Sequence, residues 1–316
     1  MLLADFRRGD PLERVLGTYP GREAGPLLVV TAGVHGNEPA GIVACRRVLR
    51  ELAARRPRLS GRFVALSGNR AALARDVRSI DHDLNRLWTR EEIARTRSLA
   101  GTARNEEQRE LADLAEVLER EFARAPGPVT LLDLHSTSGD GPPFTLLAHP
   151  RNGLDLARAI DVPALLGLER ILGSTLIDWA HRLGHRAIVL EGGQNAAEST
   201  ADHHESALWV ALVACGLLAE SEAPELASHR ARLARAAGAL PRVLEIGHRH
   251  ELQPGERFEM TPGWANFDAV KEGDLVARSG SHLEHEVCAP MTATMIMPRY
   301  QGQGLDGYFL ACAVAG

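Results

Sequence analysis

Three short segments of the chain bring together residue types that chelate metals and move protons. Gly33-Val34-His35-Gly36-Asn37-Glu38 sets a histidine and a glutamate three residues apart in a turn leading into a helix, so both side chains can converge on one point. Asp133-Leu134-His135 adds a second imidazole. Two imidazoles and a carboxylate are the ligand set of a catalytic zinc site that keeps a fourth position for water. Asp133 lies two residues before His135, and residues two apart on a strand face the same way. It can therefore accept the second ring proton of that histidine and fix its tautomer. In Leu190-Glu191-Gly192-Gly193 a carboxylate follows an apolar run, where it needs compensation. Beside a metal-held water such a group serves as general base and then as general acid to a leaving amine. The two glycines permit close approach of a substrate backbone. Arg78-Ser79-Ile80-Asp81-His82-Asp83-Leu84-Asn85-Arg86 holds two arginines and an asparagine, suited to gripping a carboxylate and holding a developing oxyanion. Each segment also has a plainer reading. His35, Glu38 and Asp133 can cap helices, His135 can sit satisfied in a core, Glu191 can pair with an arginine, and the loop can be solvated surface.

The elements that must position these residues are legible in the hydropathy pattern. Leu27 to Thr31 is a short β-branched run broken by Gly33 to Gly36, and Pro39 opens a helical pattern, which predicts strand, loop and helix. Arg62 to Leu66 begins a second such unit. Leu111, Leu114, Ala115, Leu118 and Phe122 keep helical spacing with charges between them, predicting a surface helix with one buried face over 105–122. Val129 to Leu134 and Ala187 to Leu190 predict buried strands, and Ala207 to Leu218 a further helix. Strands alternating with helices imply crossover connections and a mixed, mostly parallel sheet flanked by helices, with polar residues at the carboxyl ends of its strands forming the site. Beyond about residue 225, an Ala/Arg-rich helix from Ser228 to Ala237 gives way to short strands punctuated by proline and glycine. A catalytic α/β domain over 1–225 and a smaller β-rich cap over 226–316 are the expected units.

Composition removes several classes of function. The chain has 316 residues, 45% hydrophobic, with 36 basic against 41 acidic side chains and a net charge of −5, so no summed positive field exists to hold nucleic acid. The only lysine, Lys271, precedes Glu272 and cannot complete a phosphate-binding loop. No run approaches the ~18 apolar residues of a membrane span, and the start, Met1 to Arg8, reverses the order of a secretory signal. No membrane association and a cytoplasmic location are expected. Cys45, Cys215, Cys288 and Cys312 form no Cys-x-x-Cys pair. There is no Gly-x-Ser-x-Gly elbow, and the glycine pattern at 302–307 is not followed by the helix and strand of a dinucleotide fold. His203 and His204 follow Asp202 where a helix start and its cap are expected. His248 and His250 share one face of a predicted strand.

Taken in order, Gly33-Val34-His35-Gly36-Asn37-Glu38, Asp83-Leu84-Asn85-Arg86, Asp133-Leu134-His135 and Leu190-Glu191-Gly192 resemble the aspartoacylase and succinylglutamate desuccinylase family, a branch of the zinc carboxypeptidase superfamily. The tail is similar too, in Arg257 to Met260 and Lys271 to Ala277. The resemblance implies a zinc-carboxypeptidase-like fold and a zinc hydrolase of N-acyl amino acids, with one Zn2+ per chain held by His35, Glu38 and His135. It implies that Glu191 activates water, that Arg78 polarises the scissile carbonyl, and that Asn85 and Arg86 bind the substrate carboxylate. It also implies a tail tyrosine closing the pocket, for which Tyr300 is the nearest match and Tyr308 the competitor. Members acting on dicarboxylic substrates carry a further arginine in the segment corresponding to Ser174 to Arg186. Here no arginine stands at the expected distance, and Gln194-Asn195 follows where those enzymes differ. N-acetylaspartate and succinylglutamate are therefore not the expected substrates. A carboxypeptidase cleaving peptide C-termini, or a metal-binding protein without turnover, would use the same ligands. Homo-oligomer formation is left open.

Overall fold

The computed structural model describes residues 12–314, apart from Arg151, Pro254, Gln303 and the side chain of Glu169; the stretch Met1 to Arg8 lies outside the described residues. The first half contains strands β1 (Val15–Pro20), β2 (Glu23–Ala32), β3 (Ser60–Ser67), β4 (Val129–Thr137), β5 (Phe144–Leu147), β6 (Ala164–Leu166) and β7 (Arg186–Gln194). Helices α1 (Ala40–Arg55), α2 (Arg70–Arg75), α3 (Arg90–Ser98), α4 (Glu106–Arg124), α5 (Leu154–Ile160), α6 (Leu176–Arg182) and α7 (Glu198–Ala214) connect or follow them, and α8 (Leu226–Ala237) leads into the tail. The tail adds β8 (Val243–Glu251), β9 (Phe258–Met260), β10 (Ala269–Val270), β11 (Leu275–Ser279), β12 (His285–Cys288), β13 (Ala293–Ile296) and β14 (Asp306–Ala313).

Eleven strands form one sheet in the order β1-β3-β2-β4-β7-β5-β6-β8-β14-β13-β10, and β12-β11-β9 form a second. The centre, β3-β2-β4-β7, is parallel, as crossover helices require. β5 then runs antiparallel to β7, and the parallel pairing of β6 with β8 joins the tail strands to the main sheet. The architecture is a mixed α/β fold whose helices flank the sheet, with a β-rich carboxyl-terminal region. Strand β2 shows why its apolar run must be central: Leu28, Val30 and Ala32 enter the core under α1 and α7, while Leu27 and Val29 enter the core under α4. Every residue of β4 is buried, as a strand covered on both faces demands.

Helix α7 begins at Glu198, nine residues before the predicted start at Ala207. The segment Asp202-His203-His204-Glu205 lies inside the helix rather than ahead of it. Its polar residues mask the apolar period, because Asp202 and Glu205 reach Arg47 of α1 at 2.9 and 3.1 Å while His204 is buried. The helix also ends earlier, since Gly216 turns the chain at φ 76°. Among the described residues no helix is long and apolar enough to cross a membrane.

Candidate metal centre and active site

The loop between β2 and α1 carries His35 and Glu38. It is held by close backbone packing: a Cβ on Gly36 would stand 2.1 Å from the carbonyl carbon of Ala72 in α2, so only glycine fits. Gly33, at φ 70°, makes the turn off the strand. On the neighbouring strand β4, Asp133 and His135 face the same side, and the next strand brings Glu191 of β7 into register beside His135.

The side chains of His35, Glu38 and His135 are all buried, and their ligand atoms lie within 4.8 Å of one another. His35 Nδ1 stands 2.9 Å from Glu38 Oε1, His135 Nδ1 3.0 Å from Glu38 Oε2, and the two Nδ1 atoms 3.2 Å apart. The far ring nitrogens meet carboxylates: His135 Nε2 with Asp133 at 2.8 Å, and His35 Nε2 with Asp83 at 3.1 Å. Asp133 is itself fixed by the Thr31 hydroxyl at 2.5 Å. Each carboxylate favours a proton on the Nε2 it faces, which leaves lone pairs on both Nδ1 atoms. Two imidazole lone pairs and a carboxylate then converge without a donor among them. This donor set fits a divalent cation of the zinc type, whose preferred ligands are imidazole nitrogen and carboxylate oxygen.

Burial by itself would raise the Glu38 pKa, but His35 and His135 outweigh it and hold the carboxyl well below its usual range. Burial likewise opposes charge on His135, and Asp133 with Glu38 outweighs it, holding that imidazole well above its ordinary value. Glu191 behaves oppositely: burial, reinforced by Glu38 and Asp133, pushes its carboxyl up to about 8. Its Oε2 is buried and has no hydrogen-bond partner.

His35, Glu38, His135, Glu191, Arg78, Asn85 and Arg86 all line a single cavity of about 110 Å³. The two arginines and Asn85 come from the loop after α2. There the Arg78 guanidinium bonds Asp83 at 3.0 Å and reaches Glu38 at 3.5 Å. Burial works against the Arg78 charge, but Asp83 and Glu38 outweigh it and raise its pKa further. The Asn85 side-chain oxygen accepts from the Leu176 backbone at 2.9 Å. Arg86 is paired with Asp306 of β14 at 2.9 Å, an engagement not anticipated from sequence.

Tyr300 is not among the cavity residues. Its hydroxyl donates to the Thr261 and Trp264 carbonyls at 3.1 and 2.9 Å and accepts from the Trp264 N–H at 2.9 Å, which anchors it over a separate surface depression. Tyr308 is buried in the tail core against His248 and His250. Neither tyrosine lines the cavity; β14 turns the Tyr308 side chain toward the tail core while the neighbouring Phe309 faces the cavity. The tail instead contributes Met297, Pro298, Arg299, Gln301 and Asp306. Among the described residues His35, Glu38 and His135 are the only cluster of metal-ligand type, so the two strand histidines at 248 and 250 form no second one.

Two positioning residues escaped the sequence reading. Asp83 belongs to the Asp-Leu-Asn-Arg segment, and its spacing alone does not reveal that it faces His35. Glu107, in the first turn of α4, is wholly buried and accepts from the backbone N–H groups of Ile80, Asp81 and His82 at 2.7, 2.8 and 3.2 Å. It looked like one more charge on an amphipathic helix.

Imidazoles and carboxylates gathered at the carboxyl ends of central strands in a mixed α/β sheet define the class by its fold and its candidate site. Residues 24–214 match the model of the succinylglutamate desuccinylase/aspartoacylase catalytic domain, and the chain belongs to that family. A succinylglutamate desuccinylase from Pseudomonas paraeruginosa is 39% identical over 67 residues, a stretch spanning 21% of this chain and 20% of that protein. The matched stretches thus cover well under two thirds of such relatives. Two solved structures share the fold. A succinylglutamate desuccinylase/aspartoacylase from Rhodobacter sphaeroides superposes with a TM-score of 0.66 at 17% identity, covering 94% of this chain and 86% of that one. An aspartoacylase family protein from Mesorhizobium loti gives 0.62 at 23% identity, covering 94% and 88%.

Proposed function

We propose that the protein is a zinc-dependent amidohydrolase that cleaves a small N-acyl amino acid to a carboxylate and a free amine. His35, Glu38 and His135 would hold one Zn2+ per chain, with Asp133 and Asp83 orienting the two imidazoles. When bound, the ion supplies Lewis-acid polarisation and lowers the pKa of water. Everything else is carried by the chain. Glu191 takes the proton of the attacking water and passes it to the departing amine. Arg78, braced by Asp83, faces the scissile carbonyl and steadies the oxyanion that develops there. Asn85 and Arg86 receive the substrate carboxylate. Residues 1–225 would form the catalytic part and 226–316 the cap.

The observation that carries this reading is the Glu191 oxygen, buried without a hydrogen bond in the cavity that the three ligand side chains share. A group left so costly to bury has a reacting partner to meet. Met297, Pro298, Arg299, Gln301 and Asp306 crowd the same cavity, which suits a small acylated amino acid better than the end of a long peptide. N-acetylaspartate and succinylglutamate are not the favoured substrates. The test is Glu191→Gln assayed for free amine release across a panel of N-acylated amino acids. Turnover is expected to fall by about 10²- to 10⁴-fold with metal content unchanged. Wild-type turnover in the variant would refute the role given to Glu191.

A further inference from the structure

One wall of the cavity has no charge on it. Leu146 on β5, Leu168 and Leu172 after β6, Ile177 on α6, Val189 on β7 and Phe309 on β14 all line it, and all are buried. All six belong to the hydrophobic cluster on the α4 and α6 side of the sheet. The patch is also adjacent to the chemistry. Val189 lies two residues before Glu191 on the same side of the strand, and Leu146 is its partner across the antiparallel pair.

The cations of the cavity enter elsewhere. Arg78 and Arg86 come from the 78–86 loop and are committed to Asp83 and Asp306, while Arg299 comes from the tail and donates to the Gly302 carbonyl. The arginines nearest in sequence to the apolar wall turn away. Arg170 bonds Glu245, Arg182 bonds Asp178 and the Gly173 carbonyl, and Arg186 bonds Asp155, Thr130 and Cys215; none of the three lines the cavity. A carboxylate pressed against the six apolar side chains would lose its water without gaining a cation or a hydrogen-bond donor from them. A methyl or methylene there gains by leaving water.

We propose that the substrate carries an uncharged aliphatic group seated on the wall formed by Leu146, Leu168, Leu172, Ile177, Val189 and Phe309, so that the enzyme selects aliphatic over dicarboxylic N-acyl amino acids. This rests on the deacylase reading above. The aliphatic group can belong to the amino acid or to the acyl chain, and two series separate these. One is N-acetylated alanine, norvaline and leucine set against N-acetylaspartate and N-acetylglutamate. The other is acetyl-, butanoyl- and hexanoyl-alanine set against succinyl-alanine.

With the metal-loaded enzyme, kcat/KM in one series rises about 4-fold per added methylene until the pocket is full. Aliphatic members exceed acidic ones by at least about 100-fold, the scale on which a buried site rejects a mismatched group. Ile177→Ala shifts the optimum to a longer chain, and Leu172→Lys narrows the preference by about 10-fold or more by placing a cation on the wall. Acidic members equal to or better than aliphatic ones in both series would overturn the inference while leaving the deacylase reading intact, as would variants that leave the preference unmoved. A metal-loaded enzyme that releases amine from no member of either series would instead remove the deacylase reading, and this inference with it.

Discussion

Gly192 follows Glu191, and its missing side chain makes room for His204. A Cβ there would come within 2.4 Å of the His204 ring nitrogen Nε2, the atom that lies 2.9 Å from the His135 carbonyl oxygen. The glycine pair thus serves packing behind the site, whereas its spacing had suggested only room for substrate. Burial pushes the His204 imidazole from its ordinary 6.5 down to about 4. Between those two values the unfolded chain accepts a proton that the folded chain refuses. Stability therefore falls as the pH drops from 6.5 to about 4, by roughly 3 kcal/mol over the whole window. Urea denaturation of wild type and His204→Gln across pH 4 to 7 isolates the effect, because the other titrating groups are common to both. The wild-type curve is expected to lose stability relative to the variant toward acid; parallel curves would contradict it.

At the scale of elements, the site is assembled by a loop that could not hold its shape alone. Residues 78–86 bring Arg78, Asn85 and Arg86 to the cavity and Asp83 to His35, and the first turn of α4 grips their backbone through Glu107. The same carboxylate takes the Asn69 amide at 3.0 Å, while Asn69 caps α2 through the Ala72 N–H at 3.0 Å. One buried acid therefore ties two helices to the 78–86 loop. Glu107→Gln replaces an acceptor-only group with one bearing its own donors, leaving at least one of these N–H groups short of a partner. A loss of about 1 to 3 kcal/mol in stability is expected, with a lower kcat/KM at unchanged metal stoichiometry. Chemical denaturation beside steady-state kinetics checks both, and unchanged values in the two would sever the loop from α4. A charge on an amphipathic helix carries no mark of such a role in sequence; only the tertiary meeting of residues 80–82 with 107 creates it.

Across the whole molecule, legibility tracked how local the cause was. Strands β2, β4 and β7 announced themselves because burial on both faces leaves unbroken apolar runs, and the polar residues at their ends marked the site. His35, Glu38 and His135 were legible for the same reason, each standing where such a run stops. Asp83 facing His35, Arg86 clasped by Asp306 and the anchoring of Tyr300 over Trp264 depend on contacts 48, 220 and 36 residues apart, which no local pattern encodes. The joining of the tail to the main sheet through β6 and β8 is of that kind too, since a three-residue strand leaves little periodic signal. The most direct measurement of the account is zinc content by elemental analysis of wild type and Glu38→Ala, run in parallel with amine release from N-acyl amino acids. One zinc per chain with activity in the wild type, and loss of both in the variant, is the predicted result. Hydrolysis that persists in metal-free protein, or a Glu38→Ala chain that keeps its zinc and its activity, would contradict it.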